Sequence, residues 1–363
     1  MDIGIPKETK NNEHRVGLNP SSVNQLINDG HNVYVEHDAG CAIGFLNEDY
    51  INAGAKVVKT SSELYDQSSL IVKVKEPTPQ EYKYLNEKHT LFAYLHLAGD
   101  PINAIKLAET GVTAIALETV TADDGSMPLL SPMSKIAGQL SFIVGSYYLL
   151  KPNNGMGTII GGVNDIKPRT VTVIGGGVAG AEATKKAIEN NANVKVLDLS
   201  QRKLDLLKEQ LGSNNVEYIL SSDKVVESAI QQSDLIIGAV YVIGKKAPKV
   251  ITRSMLEKMR PGSVMVDISI DQGGCFETSK PTTHSNPVYV ENEIVHYCVT
   301  NMPGAVPLTA TEALNKTTLP YVRELANKGI EKALSENIHL ANGLNIKNFA
   351  IVNNSVREDL QIP

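Results

Sequence analysis

Tryptophan is absent from this 363-residue chain, and aromatic residues make up only 5% of it. That leaves little material for base-stacking platforms. An excess of basic residues is missing too. Against 40 Asp and Glu stand 34 Lys and Arg, a net charge of −6, so no long-range attraction favours nucleic acid or an anionic membrane surface. Long hydrophobic runs are lacking: stretches such as Leu235–Gly244 (LIIGAVYVIG) are too short and too glycine-broken to span a bilayer. The opening MDIGIPKETK has no charged start leading into an apolar core, so no export signal is visible. Three cysteines, Cys41, Cys275 and Cys298, give no disulfide framework and fit a reducing, cytoplasmic setting. Each reads as a small buried hydrophobe. His37 and Cys41 stand at H-x-x-x-C spacing, but a zinc site needs three or four ligands in a recognisable pattern. No metal site is expected.

The length suits two domains, and a hydrophobic share of 42% with 20% charged residues is that of a globular protein. A short apolar, β-branched run, a polar or Gly-rich turn and a helix-period segment recur along most of the chain. That alternation predicts an α/β fold of parallel sheets covered by helices on both faces. In the first third, strands are expected near Asp2–Ile5, His31–Val35, Leu70–Val74, Thr90–Tyr94 and Val112–Leu117. Residues 131–150 read as one long helix, and 151–167 (KPNNGMGTIIGGVNDIK) as a connection. Six strands follow, near Thr170–Ile174, Asn193–Asp198, Glu217–Leu220, Leu235–Ala239, Val264–Ile268 and Ile294–Val299, the count of a Rossmann sheet. Beyond Pro307 the pattern turns helical and no further strand is expected; those helices should return to the first domain.

Val171–Gly180 (VTVIGGGVAG) runs a strand directly into G-x-G-x-x-G, formed by Gly175, Gly177 and Gly180, with a helix-period segment behind it. The first glycine suits a tight turn, the second a close approach of backbone to pyrophosphate, and the third helix-on-strand packing. Phosphates then meet free N–H groups at a helix N-terminus. Asp198 ends the next strand, where an acidic side chain meets ribose hydroxyls. Glycine triplets alone are weak signals; strand, triplet, helix, strand and acid in order are strong. Arg202 and Lys203 could welcome a 2′-phosphate, but Asp198 would repel it, so NAD is expected over NADP.

In open parallel sheets, ligands bind outside the carboxyl ends of strands. That rule selects Lys73 and Lys75 at the end of LIVKVK, sharing one side of the strand at period two. It also selects His96 closing TLFAYLHL, Asp271 opening a DQGG turn after SVMVDISI, and Arg15 in the loop after the first strand. Singly each has a plain explanation, a solvated charge or a satisfied core histidine. Together they offer two cations for a carboxylate, an acid–base imidazole and a second carboxylate.

The segments IGIPKETKNNEHRVGLNP, VKVKEP, YLHLAGD, SPMSKIAG, IGGGVAG, DISIDQGGCFETSKPTT and NMPGAVPLTATEALNKTTLPY fall in one order over nearly the whole chain. In them the sequence resembles the alanine dehydrogenases. The resemblance implies that Arg15 and Lys75 bind the substrate carboxylate or keto group, with His96 as general acid–base and Asp271 as second catalytic group. It puts Ser134, Gly175, Gly177, Val178, Ala179, Gly180, Asp198, Lys203, Ser221, Val240 and Tyr241 at cofactor positions. Ile268, Ser269, Ile270, Asp271, Lys280, Val299, Thr300, Asn301 and Met302 complete that set. Lys280 and Tyr241 depart from the residues common there.

The resemblance further implies a discontinuous, Rossmann-like substrate domain (1–130 and 307–363). An NAD-binding Rossmann domain (131–306, with 131–150 as linker helix) would lie between its parts, with the active site in the cleft. Hydride would pass from the alanine Cα to nicotinamide, and water, with His96 managing protons, would convert the imine to pyruvate and ammonium. A homo-oligomer, by resemblance a hexamer, is expected, with no nucleic-acid or membrane partner. The nearest alternative is the NAD-binding subunit of the proton-translocating transhydrogenase. As that family reads, it lacks the DQGG aspartate and an equivalent of YLHLAGD, and this chain has both.

Overall fold

The computed structural model describes residues 1–242 and 245–361; Ile243 and Gly244, the end of the apolar stretch named above, and Ile362 and Pro363 lie outside the described residues. The chain divides into two units. The first takes Met1–Met133, the segment ending at Lys245 and the chain from Gly304; the second takes Ser134–Val242 and Lys246–Pro303.

The first unit opens with β1 (Asp2–Ile5), β2 (Asn32–Glu36), β3 (Lys56–Val58), β4 (Leu70–Val72), β5 (Thr90–Ala93) and β6 (Thr113–Ala116). The second holds β7 (Thr170–Ile174), β8 (Asn193–Asp198), β9 (Val216–Leu220), β10 (Leu235–Gly238), β11 (Val264–Asp267), β12 (Val288–Glu291) and β13 (Ile294–Tyr297). The chain then returns to the first unit with β14 (Leu344–Lys347) and β15 (Ala350–Ile351).

The first sheet is ordered β15-β14-β6-β5-β4-β1-β2-β3 and the second β12-β13-β11-β10-β7-β8-β9. Strands β1 to β6 are mutually parallel, as are β7 to β11 with β13. Counted along the chain, both sets are wound in the same order, so winding reverses between β1 and β4 in one sheet and between β7 and β10 in the other. Such reversals open a crevice at the carboxyl ends of the strands. Central strands such as β4 (LIV), β10 (LIIG) and β11 (VMVD) are buried at every residue. Helices covering both faces of a parallel sheet account for these unbroken apolar runs.

Four expectations are corrected. The second sheet has seven strands, because β12 adds an antiparallel edge to β13. The first gains β3, and two strands follow Pro307: β14 runs antiparallel to β6 and turns back into β15. Strands β4 and β5 also stop short, at Val72 and Ala93, so Lys73, Lys75 and His96 stand beyond the strands and not on them.

Helix Pro307–Lys328 positions one candidate directly. Its Thr311 Oγ1 accepts from Val16 N (3.3 Å), while Asn315 donates to Gly17 O (3.1 Å) and accepts from Asn19 N (2.6 Å). Gly17 lies so close to the end of β4 that a Cβ would come within 2.4 Å of Val72 O. The loop bearing Arg15 is thus clamped between that helix and the sheet.

Candidate active site

In the first unit the reversal between β1 and β4 brings two loops together, 6–16 and 73–76. Arg15 is buried on the first of them. Its Nε and Nη2 donate to Glu13 Oε1 (2.7 Å) and Oε2 (2.5 Å), its backbone N donates to Glu13 Oε1 (3.1 Å), and Nη1 reaches Met133 Sδ at 3.3 Å. Burial alone would lower the guanidinium pKa, but Glu13 outweighs it and the net direction is up. The forked edge is therefore engaged by Glu13, and Nη1 lies on the other edge.

Lys73 and Lys75 do not share a role. Lys73 is buried between Glu81 (2.9 Å) and Glu8 (3.2 Å). Burial opposes its charge, but Glu8, Tyr65 and Glu81 outweigh it and raise its pKa. Glu8 Oε1 also accepts from Val74 N (2.6 Å) and Lys75 N (3.2 Å), so the network braces the backbone that carries Lys75. Breaking one partner of such a buried set strands the others' charge. Lys75, itself buried, points its Nζ to within 3.6 Å of Glu76 Oε2. Glu76 also accepts from Lys10 Nζ. Burial would push the Glu76 carboxyl up, yet Lys75, His96 and Lys10 hold it down at about 2.

His96 follows β5 with φ 48°, in the left-handed region. Its N–H donates to Glu118 Oε1 (2.7 Å), which also accepts from Leu95 N (3.1 Å). The imidazole stacks with Tyr94, centroids 6.0 Å apart and planes 13° from parallel, and Tyr94 OH donates to Leu129 O (2.6 Å).

In the second unit, Gly175 (φ 105°) makes the turn after β7, and Gly177 is the N-cap of helix Val178–Glu189 with no side-chain cap bond. At Gly180 a Cβ would lie 1.8 Å from Gly175 O, so only glycine fits, whereas at Gly177 it would meet nothing within 4 Å. Asp198 ends β8 and accepts from Gly176 N (2.7 Å) and Ser200 N (2.8 Å), which locks its carboxylate against the glycine turn. Ser221 follows β9 and donates its N–H to Asp198 O (2.8 Å). An uncapped helix start, a turn closed to side chains and a fixed acid fit a dinucleotide pyrophosphate and ribose.

Most of the remaining residues expected at the cofactor follow β10, β11 and β13. Val240 O accepts from Ser269 Oγ (2.7 Å). Ile268 to Asp271 form a 3-10 turn, and Asp271 accepts from Asn301 N (3.2 Å). Val299 and Thr300 run beside Thr282, and Met302 is buried. Buried Asp267 holds this turn, accepting from Ser269 N (2.9 Å) and Cys275 N (2.8 Å). Ser134 lies in helix Ser131–Tyr148, whose Gln139 donates to Glu182 (3.1 Å) of the helix after the glycine turn. Val178 and Tyr241 are exposed, as is Lys203 on helix Gln201–Leu211. Lys280 stands apart, its Nζ paired with Glu291 of edge strand β12 (2.9 Å). Among the described residues no group of three or more His, Cys, Asp or Glu is set to hold a metal, and no helix is long and apolar enough to cross a membrane.

Sequence reasoning missed Glu8, Glu13, Glu76, Glu118 and Asp267. Glu8 and Glu13 stand in the opening segment and Glu76 beside Lys75, so adjacency was the available signal. Nothing local marks Glu118 or the bracing role of Asp267.

Together these features define a two-domain α/β protein of the Rossmann class, each sheet presenting polar groups at the carboxyl ends of its strands. The chain belongs to the alanine dehydrogenase/PNT family: the N-terminal domain pattern of that family matches residues 4–137 and the C-terminal one residues 141–354. It is 47% identical to the alanine dehydrogenase of Halomonas elongata over 358 residues, 99% of this chain and 96% of that protein. It is 48% identical to that of Staphylococcus haemolyticus over 359 residues, with the same coverage. A solved L-alanine dehydrogenase matches with a TM-score of 0.92 and 46% identity, covering 99% of both chains. A transhydrogenase from Sinorhizobium meliloti matches at 0.80 but with 23% identity, a likeness of fold.

Proposed function

We propose that this protein is an NAD-dependent alanine dehydrogenase that interconverts L-alanine with pyruvate and ammonium. The observation that carries the reading is the placement of Arg15, Lys75 and His96 just beyond β1, β4 and β5, at and beside a winding reversal. Residues 1–130 and 307–363 form the substrate domain in this reading, and 131–306 the NAD domain. Lys75 and the Nη1 edge of Arg15 bind the carboxylate; charge-assisted bonds of this kind are among the stronger ones. His96 takes a proton from the attacking water and returns it as the carbinolamine collapses, a task suited to imidazole near neutral pH. Asp271 is the second catalytic group.

The glycine turn and the first N–H groups of helix Val178–Glu189 hold the NAD pyrophosphate, and Asp198 holds the ribose hydroxyls. Ser134, Lys203, Ser221, Val240, Tyr241, Ile268 to Ile270, Lys280 and Val299 to Met302 complete the cofactor contacts. Bound nicotinamide supplies the hydride acceptor. The protein works in the cytoplasm as a homo-oligomer. Ile143, Tyr147, Ile159, Val163 and Ile166 are each at least half exposed on the second unit, and apolar exposure of this kind supports self-association.

The test follows NADH absorbance with purified protein and a panel of L-amino acids. Alanine should be the best substrate, with pyruvate plus ammonium consuming NADH. A protein that binds NADH but is inactive toward every amino acid refutes this reading in favour of a transhydrogenase-like one.

A further inference from the structure

Resting on the proposed role of His96, we infer that Glu118 is a positioning residue that fixes the imidazole by holding its backbone in the left-handed conformation. His96 has φ 48°, a region that residues with a Cβ seldom occupy. Such conformations persist only where their surroundings over-determine them, and they gather at functional sites. Here the His96 carbonyl accepts from Gly99 N (2.9 Å), and on the N–H side the hold comes from one side chain. Glu118, itself buried just beyond β6, turns its Oε1 to the N–H of His96 (2.7 Å) and to that of Leu95 (3.1 Å). The second oxygen lies 3.3 Å from Leu95 N. The backbone bends out of the strand there, so these two N–H groups leave the ladder, and the carboxylate satisfies both.

The opposite constraint falls on the ring. Tyr94 lies nearly parallel to the imidazole and is tied by its hydroxyl to Leu129 O. Backbone held on one side and ring stacked on the other leave the imidazole little choice of direction. Glu118 touches the backbone of His96 and acts through it.

The geometry predicts an unusual order of variants. Oε1 makes the bond to His96 and the shorter bond to Leu95, so Glu118→Gln, turned with its carbonyl oxygen there, keeps both and gives up only the 3.3 Å bond of Oε2, where its amide nitrogen would face Leu95 N. Glu118→Asp keeps the charge but falls a methylene short, and Glu118→Ala removes the acceptor. Positioning therefore requires Gln to outperform Asp and Ala, while a role for the charge itself requires Asp to outperform Gln.

The experiment measures turnover with L-alanine, and NADH affinity by fluorescence, for the wild type, the three variants, His96→Ala and the double variant His96→Ala/Glu118→Ala. The wild type must turn over alanine, which tests the underlying reading separately. Given that, Glu118→Gln should stay within about threefold of wild type, and Asp and Ala should lose roughly 10- to 100-fold, part of the ~10²–10⁴ that positioned proton transfer supplies. NADH affinity should stay within about twofold, since the nucleotide groups stand on the other unit. In the His96→Ala background, Glu118→Ala should cost nothing further. Activity in the order Asp above Gln, or the full loss repeated in the absence of His96, overturns the inference. Should Glu118→Ala not fold, the comparison of Gln with Asp decides it alone.

Discussion

Buried Arg15 is held charged by Glu13, and that pairing limits what Arg15 offers a ligand. Because Nε and Nη2 are bonded to Glu13, a substrate carboxylate cannot take the side-on edge of the guanidinium and has to meet its Nη1 end. Arg15→Lys keeps the charge but loses the fork to Glu13; kcat/KM for alanine should fall at least about tenfold with NADH binding unchanged. Lys75→Ala should also lose most of its efficiency with alanine and pyruvate; a Lys75→Ala protein with full activity would remove that residue from the site. Asp198→Ala should weaken NAD binding and narrow the preference over NADP, measured as the ratio of the two kcat/KM values. That Arg15, Lys75, His96 and Asp198 stand at or after the carboxyl ends of parallel strands was legible in the sequence, because an apolar run precedes each of them. Glu118 was not, because its task is set by backbone N–H groups 22 and 23 residues away. Lys73 shares a side with Lys75 only if the strand continues; its end at Val72 turns Lys73 into the Glu8–Glu81 network.

At the scale of elements, the parallel strands other than the short β3 were legible, and the antiparallel edges were not, the edges for one shared reason. Both hairpins close through two residues with positive φ, Asn292 and Glu293 (49° and 60°) between β12 and β13, and Asn348 and Phe349 (51° and 62°) between β14 and β15. Turns of this kind are normally announced by Asn-Gly. With Glu and Phe in the second place, the signal is missing. Phe349 is retained with a partner, since its ring lies against Gly111. Glu293 is exposed and holds only by its backbone, its carbonyl accepting from Gly262 N (2.8 Å). Glu293→Gly should therefore relieve left-handed strain and stabilise the second unit by up to about 1 kcal/mol. Its Tm should rise with activity unchanged; a fall in Tm would contradict the assignment of that turn.

For the whole molecule, acid sensitivity follows from one buried histidine of the second sheet. His296 is buried in β13, with Thr278 Oγ1 at 2.9 Å from Nε2, and burial, against the pull of Ile294 O, lowers its pKa to about 4. The unfolded chain takes up this proton near pH 6.5 while the folded one refuses it until about 4. Stability is therefore complete above pH 6.5 and declines as pH falls from there to about 4, by at most roughly 3 kcal/mol. Denaturant midpoints measured across that window should fall less steeply for His296→Asn than for the wild type; an unchanged slope assigns the effect elsewhere. In the proposed function, two sheets wound in the same order, one with a glycine turn and a fixed acid, the other with cations and an imidazole, divide nucleotide binding from substrate chemistry. That division is tested most directly by His96→Ala, measured for turnover with L-alanine and for NADH affinity by fluorescence on the same preparation. Turnover should fall by about 10²–10⁴ while NADH affinity stays near that of the wild type. Wild-type turnover in that variant would contradict the account.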